Sequence, residues 1–336
     1  MKSIVTVGGG TGTPVVNQAL LLAGVKYINS IVTVMDSGGV TGRMRTDSKG
    51  EEVAYSDGLR TLLSLIDHLE KNNRRVLSLE QLLRKRNLRQ QDLGYTIFSH
   101  FFDPKKGFTE IQHILESLTE IKFQGQVVPI TLQSTNIKFE TQSDQIFHGE
   151  HELDDKRMSA DAVKNIWLDP KVNAFPDALN LIENADHIIF PCGSLHGSIL
   201  VNFLPIGVTG ALKKSKAQKI LITNLASTRN ETDSFTPVDY VNIFQKYSGL
   251  KKPIDTIIVP RISRQEFEKD FPKTAHRYAL EHSHFLGWSK KELAKVEKLG
   301  LKVITHEATL IDPSLKRIRH DPTKLALCLS SLKLNS

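Results

Sequence analysis

Two glycine-rich turns, each closing a short β-branched run, stand close together near the start of the chain. Ser3-Ile4-Val5-Thr6-Val7 runs into Gly8-Gly9-Gly10-Thr11-Gly12-Thr13, and Ser30-Ile31-Val32-Thr33-Val34-Met35 runs into Asp36-Ser37-Gly38-Gly39-Val40-Thr41-Gly42-Arg43. A run of this kind bounded by glycines reads as a buried strand, and glycine lets a ligand approach the backbone closely. Where such a turn opens a helix, its unpaired N–H groups and the helix dipole form an anion site. Two of them on adjacent strands imply one crevice and a phosphorylated ligand.

Between the turns, residues 15–23 have helical length and apolarity, with Pro14 suited to the first turn and Gly24 to the stop. Strand, helix and strand in so short a span form a βαβ unit with parallel strands and a right-handed crossover. Leucines and isoleucines then recur at helical spacing (Leu59, Leu62, Leu63, Ile66 and later Ile111, Ile114, Leu115, Leu118), which predicts a helical insertion over about 58–123. Strands resume at 127–132, 137–141 and 145–148, read as an antiparallel meander because the connections are too short for crossovers. Buried strands follow at 186–190, 219–223 and 256–259, then a strand near 302–305 and a last helix from about 323 to 332. The expected fold is α/β: a Rossmann-like three-layer sandwich with a mostly parallel sheet, one domain over residues 1–336.

Only two cysteines, Cys192 and Cys328, argue against a disulfide framework and for a reducing compartment. No apolar stretch approaches the roughly 18–20 residues that span a bilayer, and no signal-peptide pattern leads the chain, so the expected location is cytoplasmic. The net charge of +7 invites a nucleic-acid partner, but the basic residues are dispersed. Their densest cluster, Arg84-Lys85-Arg86 with Arg89, lies in a helical-looking stretch and reads as a solvated face. A small anionic ligand accounts for the same excess without nucleic acid.

Three kinds of glycine loop compete at the first turn. A P-loop is excluded because no Gly-Lys-Ser/Thr ending is present. A dinucleotide fingerprint fits in part: Gly8-x-Gly10 is there, Thr13 replaces the third glycine, and Asp36 stands where a ribose-binding acid would. That keeps an NAD-dependent dehydrogenase as a rival, although Asp36 opens a second glycine turn which a dinucleotide site does not need. Downstream, Pro191-Cys192-Gly193-Ser194-Leu195-His196-Gly197-Ser198 is another strand-to-helix turn, and Thr223-Asn224 leads through Thr228 to Asn230-Glu231-Thr232-Asp233-Ser234-Phe235-Thr236. Ligands of open α/β sheets sit beyond the carboxyl ends of the strands, so all of these turns can face one crevice.

Gly-Gly-Gly-Thr-Gly, Asp-Ser-Gly-Gly-x-x-Gly-Arg-x-Arg, Cys-Gly-Ser-Leu-x-x-Ser and Asn-x-Glu-Thr-Asp occur in this order. Together they resemble the bacterial gluconeogenesis factor (YvcK-like) family, relatives of 2-phospho-L-lactate transferase (CofD-like), over most of residues 3–260. The resemblance implies a nucleotide ligand, either a UDP-sugar or a guanosine nucleotide, and a role in carbon metabolism and cell shape. Its transferase branch implies phospholactyl transfer to a deazaflavin in coenzyme F420 synthesis, with Mg²⁺. Four departures stand out. The family's Asp-Asp-Gly-Gly is Asp36-Ser37-Gly38-Gly39; its Pro-Pro-Gly-Asp-Ile-Arg is Tyr55-Ser56-Asp57-Gly58-Leu59-Arg60; its Gly-Pro-Gly-Ser-Leu is Pro191-Cys192-Gly193-Ser194-Leu195; and its Glu-Thr-x-Gly-Tyr-Thr has Phe235 for the tyrosine.

The candidate nucleotide-binding set is therefore Gly9, Gly10, Thr11 and Gly12 from the first turn; Ser37, Gly38, Gly39, Arg43 and Arg45 from the second; Gly193, Ser194, Leu195, His196 and Ser198 from the third; and Asn224, Thr228, Thr232 and Phe235 around the base or sugar. Asp36 and Asp57 are the candidate catalytic acids, and Asp36 the candidate Mg²⁺ ligand. Each has a plainer reading beside it. The glycines can form a tight βα turn alone, Asp36 a helix cap, the arginines surface ion pairs, and Asn224 with Thr228 ordinary turn chemistry. Cys192 reads as a small buried residue, since no His-Asp set accompanies it. The pairs His148/His151 and His282/His284 have ligand spacing but no completing cysteine or acid cluster, and Trp167 and Trp288 read as packing. The partner is then a nucleotide, with a homodimer as the candidate assembly.

Overall fold

The computed structural model describes residues 2–37, 53–86, 92–154, 156–159, 161–307, 309–312 and 317–334. The strands among them are β1 (Ile4–Gly8), β2 (Ile28–Val32), β3 (Gly125–Pro129), β4 (Asn136–Thr141), β5 (Ile146–His148), β6 (Val163–Asp169), β7 (His187–Phe190), β8 (Gln218–Ile222), β9 (Thr256–Pro260), β10 (Lys302–His306), β11 (Thr309–Asp312) and β12 (Arg317–His320). Seven of them form one parallel sheet in the order β10-β9-β8-β7-β1-β2-β3. The β-branched runs of β1, β2, β7, β8 and β9 are buried almost throughout, as strands covered on both faces must be.

The helices Gly12–Leu22, Ser56–Ser64 and Pro322–Ser330 pack together on the sheet, while Pro176–Glu183, Val208–Lys214 and Pro237–Ser248 form a second packed group, which completes the α/β three-layer arrangement. The first helix begins three residues earlier than its apolar stretch implies, and Gly24 with φ of 91° follows its end. Helices Ser56–Ser64, Arg74–Leu83, Leu93–Phe101 and Thr109–Thr119 lie between β2 and β3. Register fixes β2: Ile4 pairs with Ile28 and Val7 with Ile31, so the strand runs slightly ahead of the span read from sequence.

The meander needs correction. β3 is the edge of the parallel sheet, Ser30 pairing with Val127, because the long helical segment before it supplies a crossover. The antiparallel unit is instead β5-β4-β6, its third strand coming from 163–169. A hairpin of β11 and β12 was also not read from the sequence. One large core runs through the sheet layers, and a satellite cluster of Leu225, Phe267, Tyr278, Phe285 and Ile318 lies beside it, with Phe267 and Phe285 stacked at 4.2 Å between centroids. Among the described residues no helix is long and apolar enough to cross a membrane.

Candidate nucleotide site at the switch point

The chain moves outward from β1 to β2 and β3 on one side, and from β7 to β10 on the other. The strand order therefore reverses between β1 and β7, where open α/β sheets hold their ligands. The turns after these two strands touch each other. A Cβ placed on Gly12 would stand 1.7 Å from the Cys192 carbonyl oxygen, so only glycine permits this approach of two backbones. Gly10 turns with φ of 63°, and Thr13 Oγ1 donates to the Gly9 carbonyl at 2.9 Å, fixing the loop onto the helix that follows.

Beyond these turns opens a cavity of about 360 Å³, lined by Thr11, Gly12, Gly193, Thr228, Arg317 and Arg319 among others. Its size suits a small-molecule ligand. The helix Gly12–Leu22 points its N-terminus here with no acidic residue in its first turn and no side-chain cap from Thr11. Its positive end is thus not neutralised by the helix's own residues.

A larger cavity of about 990 Å³ lies past β8 to β10 and shows the contrast. Three helices begin around it, and each carries a capping box that spends its own carboxylate: Thr236 with Asp239, Ser263 with Glu266 and Ser289 with Glu292. Phe235 lines this second cavity, its carbonyl accepting from Trp288 Nε1 at 3.0 Å. Arg261, Arg264 and Lys290 also line the larger cavity, but the open helix N-terminus is at the smaller one.

Several sequence-derived candidates hold the turns in shape from beneath. Asn224 accepts from the Gly193 N–H at 2.7 Å and donates to its carbonyl at 2.6 Å, so its amide is occupied. Ser194 caps the segment after β7 by accepting from Gly197 N–H at 3.0 Å and donates to Glu231 Oε1 at 2.9 Å. The same oxygen accepts from the His196 N–H at 2.7 Å and lies 3.2 Å from His196 Nδ1. His196 and Leu195 are buried, which withdraws His196 from phosphate contact. Ser198 is buried beside Gly10, and Thr232 is buried with its hydroxyl accepting from the Thr228 N–H at 3.0 Å. Burial pushes the Cys192 thiol up to about 12, in keeping with a small inert core residue.

On the β2 side, Asp57 is buried in the helix Ser56–Ser64 and accepts from the Gly10 N–H at 2.9 Å. Burial raises its carboxyl to about 6; Arg60 and the Gly10 hydrogen bond pull it down, while Asp36 pushes it further up. Asp36 accepts from Ser56 Oγ at 2.7 Å, and Arg60 stands between both acids. Ser37 meets His151 at 2.9 Å. Gly38, Gly39, Arg43 and Arg45 lie outside the described residues. No group of three metal-binding side chains is found among the described residues, the two histidine pairs included; His284 instead faces Asp233 at 3.2 Å and Ser227 at 3.1 Å.

Sequence reasoning located Arg60 and Glu231 within matched motifs without giving either a role, and it missed Arg317, Arg319 and His320. The alternation Arg317-Ile318-Arg319-His320, with Ile318 and His320 buried, is the strand signal that could have found the last three.

The family model described as 2-phospho-L-lactate transferase CofD matches residues 4–309. A gluconeogenesis factor of Listeria innocua is 27% identical over 339 residues, covering 99% of this chain and 96% of that protein. The gluconeogenesis factor of Bacillus subtilis is 28% identical, covering 97% and 96%. The crystal structure of a UPF0052 family protein from Bacillus halodurans superposes with a TM-score of 0.79 at 26% identity, covering 97% of this chain and 99% of the other. With the strand order, the paired turns and a match over nearly the whole length, the chain belongs to the 2-phospho-L-lactate transferase CofD family, among relatives named gluconeogenesis factors.

Proposed function

We propose that the chain binds a nucleoside diphosphate carried as a UDP-sugar and acts as a gluconeogenesis factor, adjusting carbon metabolism and cell shape in response to that ligand. The observation behind this reading is the uncapped N-terminus of Gly12–Leu22, opening at the switch point onto a cavity flanked by Arg317 and Arg319. Phosphates sit at such helix ends because the N–H groups and dipole favour negative charge, and the Arg319 guanidinium adds to this, whereas Arg317 is already paired with Glu281. The names of the Listeria and Bacillus relatives support the physiological part.

Calorimetry with UDP-N-acetylglucosamine and with guanosine diphosphate tests it, using Gly10→Val as the control. We expect saturable binding of the UDP-sugar that is lost in Gly10→Val. Silence of the wild-type chain toward uridine and guanosine nucleotides alike would discard the reading.

A second reading, phospholactyl transfer to a deazaflavin, has one observation in its favour. Asp57, with a carboxyl near 6 beside the glycine turn, stands where a general acid or base works at neutral pH. It requires product formation from a guanosine diphosphate adduct, abolished in Asp57→Asn; absence of product would remove it.

A further inference from the structure

The transferase branch implies a divalent cation, and the carboxylates of the β2 side show whether one fits. Mg²⁺ requires oxygen lone pairs in near-octahedral array at roughly 2.0–2.1 Å and usually takes one or two carboxylates with waters. Asp36 and Asp57 supply two carboxylates, but a cation already stands between them. Arg60 Nη2 lies 3.8 Å from Asp36 Oδ2 and 3.7 Å from Asp57 Oδ1. Asp57 Oδ1 is buried without a hydrogen-bond partner, so the oxygen most open to a metal is the one the guanidinium faces.

The neighbouring oxygens are committed as well. Asp57 Oδ2 accepts from Gly10 N–H at 2.9 Å, and Asp36 Oδ2 from Ser56 Oγ at 2.7 Å. Arg60 is itself anchored, donating from Nε to the Ser56 carbonyl at 3.3 Å and hydrogen bonding Tyr95. A guanidinium keeps its charge at all physiological pH, and a divalent ion placed beside it would meet direct repulsion.

We infer that Arg60 is the resident cation of the Asp36–Asp57 pair and that it excludes a divalent metal from the site. The chain's own side chain, one turn along the helix that carries Asp57, offsets one of the two carboxylate charges here. The departure from the family pattern at residues 57 and 58 has the same sense: it places the acid where Arg60, three residues on, reaches it.

The test uses the whole chain without nucleotide, so its outcome is independent of the ligand reading. Mn²⁺ is titrated while its free paramagnetic signal is followed, and thermal unfolding is recorded with and without MnCl₂. The wild-type chain and Arg60→Lys should leave the Mn²⁺ signal and the Tm unchanged. Arg60→Gln removes the cation and should take up one Mn²⁺ per chain with a rise in Tm, and Arg60→Gln/Asp57→Asn should lose that uptake. If Arg60→Gln is unfolded in metal-free buffer, folding on Mn²⁺ addition supports the inference and failure to fold counts against it. Stoichiometric Mn²⁺ uptake by the wild-type chain, abolished by Asp57→Asn, overturns it. So does a folded Arg60→Gln that ignores Mn²⁺.

Discussion

The side chain of Asn224 and the backbone of Gly193 form a closed two-point ring, one hydrogen bond of 2.7 Å toward the amide and one of 2.6 Å from it. This ring ties the turn after β7 to the turn after β8, so both walls of the cavity keep a fixed spacing. In Asn224→Asp the acceptor survives, but a carboxylate oxygen replaces the donor and faces the Gly193 carbonyl. We expect UDP-sugar affinity to fall about tenfold or more, the equivalent of one lost hydrogen bond plus repulsion. Calorimetry beside Asn224→Ala separates the two effects, since alanine removes the repulsion.

Gly12→Ala should be costly for a reason unrelated to helix propensity. Its Cβ would occupy the Cys192 carbonyl, and the two turns would have to part. A loss of about 1–3 kcal/mol or more is expected from overpacking, together with loss of nucleotide binding. Urea denaturation measures the first and calorimetry the second. A neutral Gly12→Ala would show that the turns separate freely.

Glu231 should act as a positioning residue. In Glu231→Ala the Ser194 hydroxyl and the His196 N–H lose their shared acceptor inside the protein. Hydrogen bonds to a charged group are worth about 1.5–3 kcal/mol, and unsatisfied buried donors add to the loss. We expect a stability drop of that size and weaker nucleotide binding, with Glu231→Gln recovering part of both because one acceptor oxygen remains.

Asp57 gives a pH dependence whose sign follows from burial. Its native carboxyl is raised from 3.8 to about 6, so the folded chain binds the proton more tightly than the unfolded one. Stability from this group is fully present below about pH 4 and declines as pH rises to 6, by at most about 3 kcal/mol. In Asp57→Asn that downward slope should vanish from denaturation curves taken across the window.

His306 and His320 act in the opposite direction. Their rings lie 5.2 Å apart in a buried pocket, and burial pushes them down to about 3 and about 4 from 6.5. Unfolded histidines take up protons first, so their contribution is intact above about pH 6.5 and is lost as pH falls toward 4. His320 Nε2 lies 3.0 Å from the Thr223 carbonyl, and His320→Gln can retain a donor there without a titrating ring. It should reduce acid lability by up to about 3 kcal/mol, read from denaturation midpoints at each end of that window.

Much of the parallel sheet was legible because its strands are continuous β-branched runs closed by glycine or small-residue turns. β1, β7, β8 and β9 lie close to where those runs stand. β3 was misplaced because sequence shows the short connections after it and hides the partner it gains across the helical insertion. β6 escaped because Lys164 and Asn165 interrupt its apolar character; these side chains face Glu140 across the sheet, at 3.1 Å in the case of Lys164. At the site, the glycine turns could be read from residue type alone. The division between groups facing the cavity and groups bracing it could not, since Asn224, Ser194 and Thr232 carry the same chemistry in either role. Arg317 and Arg319 reach the cavity through a hairpin of four-residue strands, whose alternation is legible but does not show that the hairpin folds over the glycine turn.

The satellite cluster has an evolutionary consequence. Leu225 and Ile318 belong to it, and both lie in the segments that wall the cavity opposite the glycine turn. The glycine-turn end of the cavity is therefore built on the main core, whereas the wall facing it rests on a small module of its own. Substitutions within that module can reshape that wall of the cavity while the sheet and its glycine turns stay untouched. A lineage could exchange ligands through this wall and still keep one scaffold.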